Sequence, residues 1–226
     1  MVNWYNVLII VLFLSILTVL FIIYRLYIFT VPPANTHFCD IINKLETGDI
    51  FLVPYDSIYG HLVKIFRGCC WTHGSLIYKK DDGKIYIIEI ARYEYKNKTY
   101  KGLLMLPLDK WLKFNDGRLI GYIKYRGNSP NNTIFERTFD KYKHVKVNLD
   151  TIYWMNTLVK WKYRKVKDKN IYFCTEFLAK FLQDLGMISK KYLPCSYSPI
   201  TFSELKEYDK DILIFKNNCN IPNGLD

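Results

Sequence analysis

Tyr172-Phe173-Cys174-Thr175-Glu176-Phe177-Leu178-Ala179-Lys180-Phe181-Leu182-Gln183-Asp184-Leu185-Gly186 places one cysteine at the opening of an amphipathic helix. Phe173, Phe177, Leu178, Phe181, Leu182 and Leu185 recur at helical spacing, and Gly186 stands where the helix should end. Cys174 then falls in the first turn, where unpaired backbone N–H groups and the macrodipole favour negative charge. A thiol so placed is biased toward thiolate, the form that attacks carbonyl carbon. The plainer alternative is a buried cysteine acting as a small hydrophobe. What separates the two is whether the chain also supplies a base.

His73 is the candidate, within Gly68-Cys69-Cys70-Trp71-Thr72-His73-Gly74-Ser75-Leu76-Ile77-Tyr78. Gly74 to Tyr78 reads as a short strand, ended by the turn Asp81-Asp82-Gly83. Lys84-Ile85-Tyr86-Ile87-Ile88-Glu89-Ile90 follows as a second strand, so the two predict a hairpin. Glu89 interrupts an otherwise apolar strand beside the one that begins at His73. A carboxylate there can accept the proton on the far imidazole nitrogen, fixing the tautomer and turning the near nitrogen toward a thiol. Taken singly, His73 reads as a structural histidine and Glu89 as a solvated charge. A one-residue slip of register would turn Glu89 to the other face.

The order of these segments resembles a known family. Thr47-Gly48-Asp49-Ile50-Phe51-Leu52-Val53 is similar to the opening strand of the permuted papain-like amidases of the NlpC/P60 superfamily. That branch includes bacterial YaeF/YiiX-type proteins and a poxvirus member. Trp71-Thr72-His73-Gly74-Ser75-Leu76-Ile77 resembles the strand bearing the family's histidine, and Ile87-Ile88-Glu89-Ile90-Ala91 the strand bearing the polar third residue. Lys101 to Leu108 resembles the segment that follows, and Phe173-Cys174-Thr175-Glu176-Phe177 the helix start bearing the nucleophile. Histidine before cysteine is the mark of the permutation. Gly74-Ser75 departs from the pattern, which has a more apolar pair there. The resemblance spans residues 45–215. It implies a circularly permuted papain-like α+β domain using Cys174, His73 and Glu89 as a triad, with a thioacyl intermediate.

The N-terminus carries the second signal. Leu8 to Tyr24 holds no charge, Val7 extends the run, and beyond Arg25 it continues through Phe29. A helix needs roughly twenty apolar residues to cross a bilayer, and an arginine near one end can snorkel to the headgroups. Trp4, Tyr5, Tyr24 and Tyr27 fall where an interfacial belt would place them. No Lys or Arg precedes the run and no small-x-small cleavage site stands out, so it reads as a retained anchor rather than a signal peptide. The expected partner is thus the lipid bilayer, through residues 7–29.

With Arg25 on the C-terminal side of the span, the positive-inside rule puts the globular part in the cytosol or a virion interior. Six cysteines (Cys39, Cys69, Cys70, Cys174, Cys195 and Cys219) form no disulfide-like spacing, and the adjacent Cys69-Cys70 fits reduced thiols. Two Asn-x-Thr sequons, Asn97-Lys98-Thr99 and Asn131-Asn132-Thr133, would matter only in a lumen.

The expected layout is an anchor at 1–31, a stiff Pro32-Pro33 linker at 32–44 and one hydrolase domain at 45–226. Strands are expected at Ile50–Val53, Gly74–Tyr78, Ile85–Ile90, Leu103–Leu106, Leu119–Tyr125 and Ile212–Phe215. Helices are expected at Leu108–Phe114, Val147–Tyr163 and Phe173–Leu185, with a loop at Gly127–Thr133. Strands first and helices afterward argue α+β. The net charge of +11 is densest at Lys160–Lys169. It suits a solvated loop or an anionic lipid surface, at about 1 kcal/mol per residue near the bilayer. Specific nucleic-acid binding is not expected. Cys69, Cys70 and His73 cluster but lack a second ligand pair, so neither zinc nor any cofactor is expected. The substrate is expected to be a peptide, amide or acyl lipid. A catalytically silent binding module and a basic lipid or nucleic-acid binder are the alternative classes.

Overall fold

In a computed structural model, residues 4–95, 97–148 and 170–218 are described. Their centre is a six-stranded antiparallel sheet in the order β4-β3-β2-β1-β5-β8. The strands are β1 (Ile50–Val53), β2 (His73–Lys79), β3 (Ile85–Tyr95), β4 (Lys98–Pro107), β5 (Leu119–Ile123) and β8 (Leu213–Lys216). A separate parallel pair joins β6 (Lys146–Val147) to β7 (Ile171–Tyr172). The helices are α1 (Trp4–Ile28), α2 (Phe38–Ile42), α3 (Ile58–Arg67), α4 (Leu108–Phe114), α5 (Asn132–Tyr142) and α6 (Cys174–Asp184).

Both faces of the sheet are buried, which is why β1 to β3 read as continuous apolar runs rather than alternating ones. One face turns Leu52, Leu76, Tyr78, Ile88 and Ile90 toward Phe177, Leu178, Phe181 and Leu182 of α6. The other turns Phe51, Val53, Ile77 and Ile87 toward Trp111 and Leu112 of α4 and Ile41 of α2. The architecture is therefore α+β, with an apolar helix at its N-terminus.

Asp49 fastens the start of β1. Fully buried, it accepts from the Tyr122 hydroxyl (2.8 Å), the Tyr125 N–H (2.8 Å) and the Glu46 N–H (2.9 Å). Burial nevertheless pushes its carboxyl above the usual range, those hydrogen bonds only partly offsetting the desolvation. Gly48 before it has φ of 108°, and a Cβ there would lie 2.4 Å from Met187 and 2.9 Å from Tyr125. The Gly-Asp pair is thus a packing requirement.

α6 ends in a Schellman motif. Gly186 (φ 74°) donates to the carbonyl of Gln183, and Met187 to that of Leu182.

Several segments differ from expectation. α3 and α5 were not anticipated. Ser57 caps α3 by accepting from the Gly60 N–H, and Gly68 ends it in the left-handed conformation. Asn131, expected in a loop, caps α5 through the Ile134 N–H. The helix expected at Val147–Tyr163 begins instead as strand β6. Its Lys146 N–H donates to the carbonyl of Asn170, and the N–H of Asn148, just past the strand, donates to that of Tyr172; the rest of that span lies outside the described residues, as do Lys160–Lys169 and Cys219. The expected linker at 32–44 is fastened from Asn35 onward. Asn35 exchanges hydrogen bonds with Ile214 of β8, Phe38 packs on Phe215, and Ile41 is buried.

Candidate active site

Three elements converge at one end of the sheet. β2 starts at His73, β3 carries Glu89, and α6 starts at Cys174. β2 and β3 pair Leu76 with Ile88, so one step further places Ser75 opposite Glu89, with His73 on the same face of β2. The His73 Nε2 lies 2.7 Å from Glu89 Oε2. Ser75 donates to that same oxygen at 2.6 Å, and the Tyr93 hydroxyl donates to Oε1 at 2.7 Å. Tyr93 stands four residues beyond Glu89 on the strand's same face. Its hydroxyl lies 2.8 Å from that of Tyr55, which in turn reaches Asn115 at 3.1 Å. The Tyr55 ring flanks the imidazole, with centroids 5.2 Å apart.

Because Glu89 occupies Nε2, Nδ1 is the ring nitrogen left for the thiol, and the Cys174 and His73 side chains act directly on one another's charge. The backbone N–H groups of Gly74 and Thr175 also support the sulfur. Gly74 and Ser75 are the pair that departs from the pattern noted in the sequence. Gly74 faces α6, where a Cβ would make only ordinary contact, 3.4 Å from Leu178, so packing alone does not require glycine there. Ser75 is explained by its bond to Glu89. At the helix start, Glu176 reaches back to the Phe173 N–H at 3.4 Å and satisfies one of the open donors.

The electrostatics follow from burial in mutual contact. Burial alone opposes the thiolate, but the facing imidazolium and its hydrogen bond outweigh it and hold Cys174 below the ordinary thiol range. Burial likewise opposes the imidazolium. The negative charge and hydrogen bond of Cys174, joined by Glu89, overcome it and push His73 up to about 10. Burial would raise Glu89, yet its bond to His73, the imidazolium charge, and Ser75 and Tyr93 together hold it low. Each charge therefore favours the charged form of its neighbour.

A cavity of about 530 Å³ opens over Cys174 and His73. Tyr55, Phe114, Phe173 and Tyr197 give it aromatic walls, while Ser57, Val63 and Arg67 close one side. Arg118 also lines it, its guanidinium 4.9 Å from the Tyr55 ring.

All three residues singled out in the sequence therefore meet. The reading missed Ser75, Tyr93, Tyr55 and Asn115. Strand period pointed to Tyr93, two alternations past Glu89, but nothing local marked Tyr55 or Asn115. Cys69 and Cys70, which cluster with His73 in sequence, diverge from it in space. The Cys69 thiol is buried against the backbone of Trp71. Among the described residues, no group of three or more His, Cys, Asp or Glu side chains is gathered to hold a metal ion, and the five described cysteines are free thiols.

No family model matches the sequence, and no curated protein matches it. Among solved structures, the chain is similar to the crystal structure of the metalloprotein yiiX from Escherichia coli O157:H7. The two share 13% identity at a TM-score of 0.38, covering 78% of this chain and 93% of that one.

Proposed function

We propose that this chain is a membrane-anchored cysteine hydrolase or acyltransferase of permuted papain-like fold, acting on amide or acyl (thio)ester bonds. Residues 1–31 form the anchor and residues 45–226 the catalytic domain, on the cytosolic or virion-interior side. The observation that carries the reading is the continuous contact from Glu89 through His73 to Cys174, at a cavity wall and at a helix N-terminus.

The Cys174 thiolate attacks the carbonyl carbon, and the carbonyl electrons move onto oxygen. The backbone N–H of Cys174, at the opening of α6, donates to that oxyanion. As the intermediate collapses, Nδ1 of the His73 imidazolium gives its proton to the departing amine, alcohol or thiol, leaving a thioester on Cys174. Water, or an acceptor in the transferase case, then loses a proton to His73 as it attacks the thioester. The acyl product departs and the thiolate–imidazolium pair is restored. Glu89 holds the imidazole in the required orientation throughout and stabilises its charge.

The test is the pH profile of iodoacetamide labelling at Cys174 in the full chain, read by mass spectrometry beside His73→Ala. Because the thiol is held low by the imidazolium, labelling should persist well below the ordinary thiol range and move up to that range in the variant. A free-thiol profile shared by both proteins refutes the reading and leaves a fold without its chemistry.

A further inference from the structure

Arg25 is the charge in the last turn of α1, near the C-terminal end of the apolar run. In a bilayer such a residue marks the headgroup level. Here its Nε donates to the carbonyl of Ile65 in α3 at 3.0 Å, and its guanidinium lies 4.6 Å from the Phe29 ring. The fit is close. A Cβ on Gly68, which ends α3 with φ of 63°, would come within 2.9 Å of that guanidinium and 3.0 Å of Phe29. The end of α3 is therefore tied to the membrane end of the anchor, at the level where water meets lipid.

α3 has the composition of a helix for that level. Ile58 and Phe66 are 78% and 41% exposed, large apolar side chains left uncovered by the rest of the domain. The last turn adds Lys64 and Arg67, the sign that anionic lipid attracts. The same helix walls the cavity over Cys174, through Gly60, Val63 and Arg67 and its cap Ser57. One short element thus joins the anchor, the exposed apolar pair and the cavity.

We infer that α3 lies in the headgroup layer of an anionic bilayer and that the cavity opens at that surface. Cys174 accordingly acts on acyl or amide groups of molecules held in the membrane, in preference to molecules dissolved in water. The substrate half of this inference rests on the proposed nucleophilic role of Cys174. The placement of α3 rests only on α1 spanning the bilayer.

Two measurements on the full chain in phosphatidylcholine–phosphatidylserine vesicles separate these halves. In the first, benzoylphenylalanine replaces Ile58, Phe66 or, as a control on the exposed β2–β3 turn, Asp82, and adducts are identified after irradiation. Lipid adducts at positions 58 and 66 but not 82 are expected. Their absence, or equal yield at 82, overturns the placement, and protein–protein adducts alone at 58 and 66 assign the face to a second copy instead. In the second, Cys174 is offered a long-chain bromoacetamide dissolved in the vesicles and, separately, iodoacetamide in the water. The ratio of the two rates should fall several-fold in Ile58→Asp, and an unchanged ratio overturns entry from the membrane. Failure of iodoacetamide to find an activated thiol would instead count against the proposed chemistry, and the photoadducts would still decide where α3 lies.

Discussion

Glu89 is 1% exposed and accepts from an imidazole, a serine and a tyrosine. Replacing it by alanine leaves the buried His73 imidazole and Ser75 hydroxyl without their acceptor and takes one of two partners from the Tyr93 hydroxyl. Breaking a buried pair in this way costs about 3–5 kcal/mol, to be read as a drop in unfolding free energy. Glu89→Gln keeps the shape and removes the charge, so it tests orientation against electrostatics. Without the carboxylate the imidazolium is less stable, His73 falls from its raised value of about 10, and the thiolate loses support. The labelling profile of Cys174 should shift to higher pH, with a smaller stability loss than in Glu89→Ala. An unmoved profile would make Glu89 a structural residue only. At this scale the sequence disclosed the groups whose chemistry is local in origin: a thiol at a helix start, a histidine opening a strand, a carboxylate in an apolar run. It did not disclose Tyr55 or Asn115, because each reaches the network from a loop or helix end placed by packing across the sheet's second face.

α6 is held at both ends by different means, and its far end carries a pH signature. Asp184 accepts from Lys141 and the Tyr142 hydroxyl of α5 and from Lys180 of its own helix. Partial burial raises its pKa, but these three bonds and the nearby ammonium outweigh that and hold the carboxyl well below the ordinary 3.8. A depressed carboxylate stabilises the fold above its unfolded pKa, and the contribution fades as pH falls through the folded value. Asp184→Asn should therefore cost about 1–3 kcal/mol at neutral pH. Its stability curve should converge on that of the unchanged protein in acid, measured by denaturant titration from pH 7 to below 3.8. Parallel curves would mean that Asp184 acts by shape alone. The elements themselves were unevenly legible. β1 and α4 occupy their expected bounds because apolar run and flanking turn agree there. α3 and α5 were written in their caps, Ser57 with Gly68 and Asn131, yet their glycine, histidine and charged residues weakened the helical pattern. Val147 was assigned by apolar content, whereas its backbone is claimed by a strand partner distant in sequence, Tyr172.

For the molecule as a whole, the N-terminal apolar helix and the candidate site are built from different elements, joined through the contact of Arg25 with α3. α1 is a 25-residue helix with none of its most apolar stretch covered by protein, long enough to cross a bilayer. Every group that sets the state of Cys174, by contrast, comes from the sheet, α6 and the loop after β1. Disabling the span should therefore leave the thiol's chemistry in place. Leu14→Arg with Leu17→Arg puts two charges near the middle of the helix, each costing about 2.5–3.5 kcal/mol on insertion. The full chain should float with vesicles and resist alkaline carbonate, and the double variant should do neither. Its iodoacetamide profile at Cys174 should still match that of the unchanged protein. Continued flotation of the variant would mean that α3 binds lipid without the span. A profile that reverted to a free thiol's would mean that contact between Arg25 and α3 is needed to shape the cavity wall, so that membrane insertion itself would switch the site on.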